Sequence, residues 1–209
     1  MNFVKNTKYY TGTVYEFNLP TGTTCPFAQE CKVIVDRVTG KFNVSHGAFR
    51  CYAASAERFP GVREHRWHNY EATRQGLLPE LPAGAKHVRI HMSGDFYSQA
   101  YFDLWLDYAR KHPDIKFWAF TKSLPFWIER INEIPENLVL TASYGGKYDW
   151  MIKLHNLKYG IVVKNVEEAN ALGLPIDTND DYARQPKVSF AMLDNNIAGK
   201  AKQKKNLEV

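Results

Sequence analysis

Residues 88–120 read VRIHMSGDFYSQAYFDLWLDYARKHPDIKFWAF, and this stretch decides the fold. The run His87–Met92 (HVRIHM) is short, apolar and β-branched, and Ser93-Gly94 stops it, as at the end of a strand. From Ser98 to Lys111 the period changes. Tyr101, Leu104, Trp105, Tyr108 and Ala109 recur at helical spacing, with Ser98 placed to cap the start and Pro113 lying beyond the end. Ile115–Phe120 (IKFWAF) then returns to strand character. A strand, a helix and a strand within 33 residues form a crossover unit, which joins parallel strands in right-handed sense.

The same alternation extends in both directions. Strands are predicted at Thr13–Leu19, Leu138–Ala142, Tyr159–Val163 and Val188–Leu193. Pro125 opens a helix to Glu133, and Asn165 with Glu168 forms a capping box before a short helix that Gly173 ends. Six such strands imply a parallel α/β sheet, either doubly wound or a partial (β/α)6 barrel. Both place function at the carboxyl ends of the strands. One connection is far too long for a simple loop: residues 20–86 separate the first two strands. Two helices are expected in it, at Ala48–Arg58 and Val62–Gln75, and all three cysteines belong to it.

The chain has 209 residues, of which 44% are hydrophobic and 23% charged, which fits an ordinary globular domain and excludes a disordered or disulfide-dense one. No apolar run approaches the ~20 residues that span a bilayer. The start, MNFVKNTKYYTG, lacks the apolar core of a signal peptide, so a cytoplasmic location is expected. One domain is expected over residues 1–195, with a Lys-rich tail at 196–209. Lys200, Lys202, Lys204 and Lys205 against Glu208 place +3 of the net +5 in that tail, leaving +2 for the rest. Such a tail can attract nucleic acid or simply keep the chain soluble. Aromatic residues, 14% of the chain, supply core and flat walls for a ring-bearing ligand.

Cys25, Cys31 and Cys51 are odd in number and occupy turn or loop-edge settings, which favours metal binding over disulfides. Zinc would need a fourth ligand, His46 or His91. An iron–sulfur cluster on three thiolates would leave one iron open. The spacing alone does not choose between them. At the second strand end, His91-Met92-Ser93-Gly94-Asp95-Phe96 offers a glycine for close approach and a carboxylate for an ammonium, or for capping the next helix. Thr121-Lys122-Ser123, Thr141-Ala142-Ser143 and Gly145-Gly146 would line a polar pocket along the same edge. His65 and His68, three apart on a helix, fit a solvated face better than a metal site. Neither a phosphate-binding loop nor a dinucleotide fingerprint is present.

CPFAQEC, RCYAAS, VRIHMSGDFYSQAYFDLWL, WAFTKSLPFW and LVLTASYGG, in that order, resemble the phage gene product 88 domain family. That family is similar to radical S-adenosylmethionine enzymes. The resemblance implies a partial (β/α)6 barrel with a [4Fe–4S] cluster on Cys25, Cys31 and Cys51. It implies S-adenosylmethionine at the open iron, with Ser93, Gly94 and Asp95 at the methionine amino group. Thr121, Lys122, Thr141 and Ser143 would line the rest of that cofactor's site, Ser143 toward the ribose. The sequence departs from such enzymes in lacking the Cys-x3-Cys-x2-Cys run and a glycine motif on the fifth strand. The resemblance implies radical chemistry on an unspecified substrate in the host cytoplasm. The alternative is a cluster- or zinc-stabilised binding protein without turnover that touches nucleic acid through its tail.

Overall fold

The computed structural model describes residues 1–10, 12–44 and 51–194. Two strands open the chain, β1 (Val4–Asn6) and β2 (Val14–Phe17). A hairpin of β3 (Val33–Val35) and β4 (Phe42–Val44) follows, then a 3-10 helix at Tyr52–Arg58 and α1 (Pro60–Thr73). From there strands and helices alternate: β5 (His87–Ile90), α2 (Gln99–Lys111), β6 (Lys116–Thr121), α3 (Leu124–Glu129), β7 (Leu138–Ser143) and α4 (Trp150–Leu154). The chain then forms β8 (Tyr159–Val163), α5 (Val166–Ala171) and β9 (Phe190–Leu193).

The main sheet has seven strands in the order β1-β2-β5-β6-β7-β8-β9. All neighbours from β2 to β9 are parallel, and only β1 is antiparallel. The parallel strands stand in chain order without a reversal, so the doubly wound arrangement is excluded. The fold is therefore mixed α/β around a mostly parallel sheet with β1 and β9 at its edges. No helix among the described residues is long and apolar enough to cross a membrane.

Strand alternation sorts the core into two layers. Phe117 and Ala119 of β6, Leu138, Leu140 and Ala142 of β7, and Val88 and Ile90 of β5 join Phe102, Trp105, Leu106 and Ala109 of α2 in the larger cluster. Trp118 and Val139, one residue out of phase, join Val14, Phe190, Tyr10 and Ala183 on the opposite face. Among the described residues no helix contributes to that second cluster. Residues 177–184 cross it, held by the Asp180 carboxylate, which takes the Trp118 indole N–H at 2.9 Å and the Arg89 guanidinium at 3.0 Å.

The expected strands and the α2 helix are present, Tyr159–Val163 with the expected ends and the others with one or both ends shifted. The insert differs more. It holds the β3–β4 hairpin where no strand was expected, because Val33-Ile34-Val35 is too short to show a period. The helix expected at Ala48–Arg58 is a 3-10 helix beginning at Tyr52, with residues 48–50 outside the described residues. Its partner begins at Pro60 rather than Val62, since proline fits the first helical turn. The helix expected over 125–133 stops at Glu129.

Candidate metal and cofactor site

Cys25 closes a tight turn after β2. Its N–H donates to the Gly22 carbonyl at 3.2 Å, and the Thr24 hydroxyl donates to the Pro20 carbonyl at 2.7 Å. Gly22 has φ +69° and lies so close to β3 that a Cβ would collide with the Val33 carbonyl. This turn is sewn to the end of β5: Leu19 and Ser93 bond through their backbones at 2.9 Å, and the Ser93 hydroxyl donates to the Leu19 carbonyl at 2.8 Å. The backbone N–H of Ser93 donates to the Asn18 side chain. Gly94, at φ +90°, approaches so closely that a Cβ would stand 2.7 Å from both Leu19 Cβ and Thr24 Oγ1.

The next segment of the same loop reaches β7. Ala28 forms a bridge with Gly146, and the N–H groups of Gln29 and Glu30 both donate to the Gly145 carbonyl. The Asp149 carboxylate takes the N–H groups of Gly145 and Gly146 at 2.8 and 2.9 Å, fixing the receiving turn. Cys31 thus follows a segment anchored over the carboxyl end of β7. Cys51 starts the 3-10 helix and packs with Val33, Val35 and Ala54. Its neighbour Tyr52 returns to the β5 end, its hydroxyl donating to the Met92 carbonyl at 3.1 Å.

All three thiols are free and partly exposed. Burial pushes the Cys25 thiol well up, and the negative charges of Asp95, Cys51 and Cys31 push it further. The Cys51 thiol is raised by burial and by Cys31, while the N–H groups of Ala53 and Ala54 and the Arg66 charge pull it back. Cys25 is thus within electrostatic reach of Cys31, Cys51 and Asp95, and Cys51 of Cys31.

Asp95 is buried, and it does not cap the next helix. Its carboxylate accepts the Phe96 N–H (2.7 Å), the Thr121 hydroxyl (2.6 Å) and the Lys122 N–H (2.8 Å). It ties the end of β5 to the end of β6. The cap of α2 is Ser98, whose side chain accepts the Tyr101 N–H. Burial raises the Asp95 carboxyl to about 6, against the pull of the Thr121, Lys122 and Phe96 donors. Lys122, only 8% exposed, donates from Nζ to the Ser143 hydroxyl at 2.6 Å, and so joins β6 to β7. The Thr141 hydroxyl is buried without a partner among the described residues.

Among the described residues no three His, Cys, Asp or Glu side chains are grouped to hold a metal ion. His46 lies outside the described residues. His91 is committed elsewhere: its φ of +65° turns the ring beneath α2, where Nε2 bonds the Tyr101 hydroxyl at 2.8 Å. Burial and Arg89 depress it to about 3, so it is a neutral ring. His65 bonds Asn2, and His68 is exposed.

A family model described as Gene product 88 matches residues 2–207. The chain belongs to that family. Among Gene product 88 relatives, the Gene 88 protein of Mycobacterium phage L5 is 33% identical over a match covering 34% of this chain and 38% of the relative. That of Mycobacterium phage D29 is 32% identical with the same coverage. The match spans little more than a third of those relatives' length. No solved structure matches.

Sequence reading missed several residues that build this Gene product 88 site. Glu57, Arg63, Arg66 and Asn69 are all buried, and α1 presents the last three inward. Their stretch reads as a solvated face because charged residues alternate with histidines. The one available signal was the absence of an apolar stripe long enough to bury α1 by itself.

Proposed function

We propose that this protein carries a [4Fe–4S] cluster on Cys25, Cys31 and Cys51 and binds S-adenosylmethionine at the open iron, above a partial (β/α)6 barrel. The observation that supports this most is the close junction that holds the turn ending in Cys25 against the end of β5, beside Asp95, at the carboxyl edge of the sheet. When bound, the cluster would supply the electron that cleaves the cofactor's sulfonium to methionine and an adenosyl radical, which takes hydrogen from a substrate. The protein's own part is placement and shielding. Asp95 fixes the Lys122 backbone and the Thr121 hydroxyl. Lys122 Nζ, held at the strand ends by its bond to the Ser143 hydroxyl, suits the cofactor's carboxylate. Ser143 and the unpartnered Thr141 hydroxyl suit its ribose, and Gly94 leaves the turn beside Asp95 free of a side chain.

Anaerobic purification tests this reading. Iron and acid-labile sulfide near four each per chain are expected, from the composition of that cluster. Replacing Cys25, Cys31 or Cys51 singly by serine should abolish retention. A colourless protein holding one zinc overturns it.

A second reading has its own support. The three donors already on Asp95 leave little room for an ammonium, which favours a cluster-bearing binding protein without turnover. Titrating the loaded protein with S-adenosylmethionine separates the two. If Asp95 meets the ammonium, Asp95→Asn should weaken binding roughly tenfold to a hundredfold, the value of a charge-assisted hydrogen bond. No binding by the unaltered protein establishes the second reading.

A further inference from the structure

The cysteines reach the site on two separate segments, and little apolar surface joins them. Among the described residues, the cluster around Cys51 has Val33, Val35 and Ala54 as buried members, with Phe42 alongside. What joins the segments is polar. Glu57, fully buried in the 3-10 helix, accepts the Thr21 N–H at 2.7 Å on Oε1, and so holds the turn that ends in Cys25. The same oxygen takes Arg66 Nη1 of α1 at 2.8 Å. Arg66 Nη1 also donates to the Ala53 carbonyl at 3.0 Å, two residues after Cys51. Arg63, one turn earlier on α1, donates to the Glu57 carbonyl at 2.6 Å and to the Arg37 carbonyl of the hairpin turn at 2.7 Å.

We infer that the buried Glu57–Arg66 pair is a positioning clamp that fixes the Cys25 turn against the Cys51 segment and so sets the separation of their thiols. The inference rests on the cluster reading for its purpose, though not for its geometry. A carboxylate suits the task because one oxygen can accept from two donors on different segments at once. Arginine suits it because its planar fork reaches a carbonyl and a carboxylate together. The second carboxylate oxygen, buried without a partner among the described residues, shows that Glu57 is not placed there to satisfy itself.

The test uses the metal-free, reduced full-length chain and a short bifunctional thiol reagent, with the linked peptides mapped by mass spectrometry. In the unaltered protein Cys25 and Cys51 should become linked to each other. Glu57→Gln, which keeps an acceptor for Thr21 but loses the charge, should slow that linkage several-fold while each thiol still reacts singly. Arg66→Met should slow it more. Leu106→Val, in the α2 core away from the insert, controls for general loosening and should leave the linkage unchanged. After reconstitution, iron content should fall in the order of the linkage rates. Unchanged linkage in Glu57→Gln overturns the clamp, even if Arg66→Met fails to fold. Linkage that responds to Glu57→Gln in a protein that takes up no iron upholds the clamp and overturns the cluster.

Discussion

Two buried residues that follow β5 give the site an acid signature. His91 is pushed down to about 3 from its ordinary 6.5, so the native ring refuses a proton that the unfolded chain accepts. Stability is therefore lost as pH falls from 6.5 toward 3. Asp95 works in the opposite direction. Its carboxyl is raised from 3.8 to about 6, so within that window the native state keeps a proton the unfolded chain has released, and stability falls as pH rises. His91→Gln should remove the loss on acidification. Asp95→Asn leaves the Lys122 N–H facing an amide donor, at a cost of about 1–3 kcal/mol. The deficit of this variant should narrow as pH rises from about 4 to about 6, because only the unaltered protein loses the Asp95 contribution there, while that of His91 changes alike in both. Urea midpoints across that range measure both effects, and parallel profiles for Asp95→Asn and the unaltered protein would place the raised group elsewhere. None of this was visible in the sequence. Asp95 was legible as a site residue from its position after a strand, but its three donors come from the chain's own fold.

At the scale of elements, the parallel strands and α2 were legible because each carries a full period of buried residues. Phe117–Phe120 alternates between two clusters, and Tyr101, Phe102, Trp105 and Ala109 mark one helical face. The insert was not legible for the converse reason. Its hairpin strands are three residues each, and α1 buries Arg63, Arg66, Asn69 and Thr73, so its inner face is polar and gives no hydrophobic signal. Specific hydrogen bonds replace apolar area there, and their partners lie far apart in the chain. Backbone contact also replaces side chains between the Cys25 turn and the β5 end. Gly94→Ala should be costly on two counts, a left-handed φ and a Cβ 2.7 Å from Leu19 and Thr24. A loss of about 1–3 kcal/mol is expected from the overpacking. Because the displaced turn leads directly into Cys25, metal retention should fall with it. Thermal unfolding and iron content, measured on the same sample, check this, and an alanine variant of full stability would mean the two turns are not in contact.

The whole molecule combines a charge imbalance with an open sheet. Deleting residues 196–209 removes +3 of the net +5 and should weaken any binding to nucleic acid and flatten its salt dependence, with iron content unchanged. The open sheet poses the larger structural problem, since the face opposite the helices must be covered without them. The segment 177–184 does so from the β9 side, reaching Trp118 of β6 and Arg89 of β5 through one carboxylate. Arg89 is anchored in turn by the Tyr10 hydroxyl, which donates to Glu16 of β2, so the network spans the sheet from β2 to β6. Asp180 itself sits at φ +63°, a conformation that aspartate and asparagine tolerate better than most residues. Asp180→Asn therefore keeps the backbone and one acceptor oxygen while leaving the Arg89 charge buried and unpaired. Breaking a buried pair from one side costs about 3–5 kcal/mol. The Arg110–Asp107 pair provides the contrast: both side chains are well exposed, and Asp107→Asn should cost under about 1 kcal/mol. Urea unfolding of the two variants side by side should show that difference. Equal, small losses would mean that the sheet does not depend on this segment for its cover, and that Trp118 and Val139 are sheltered by packing alone.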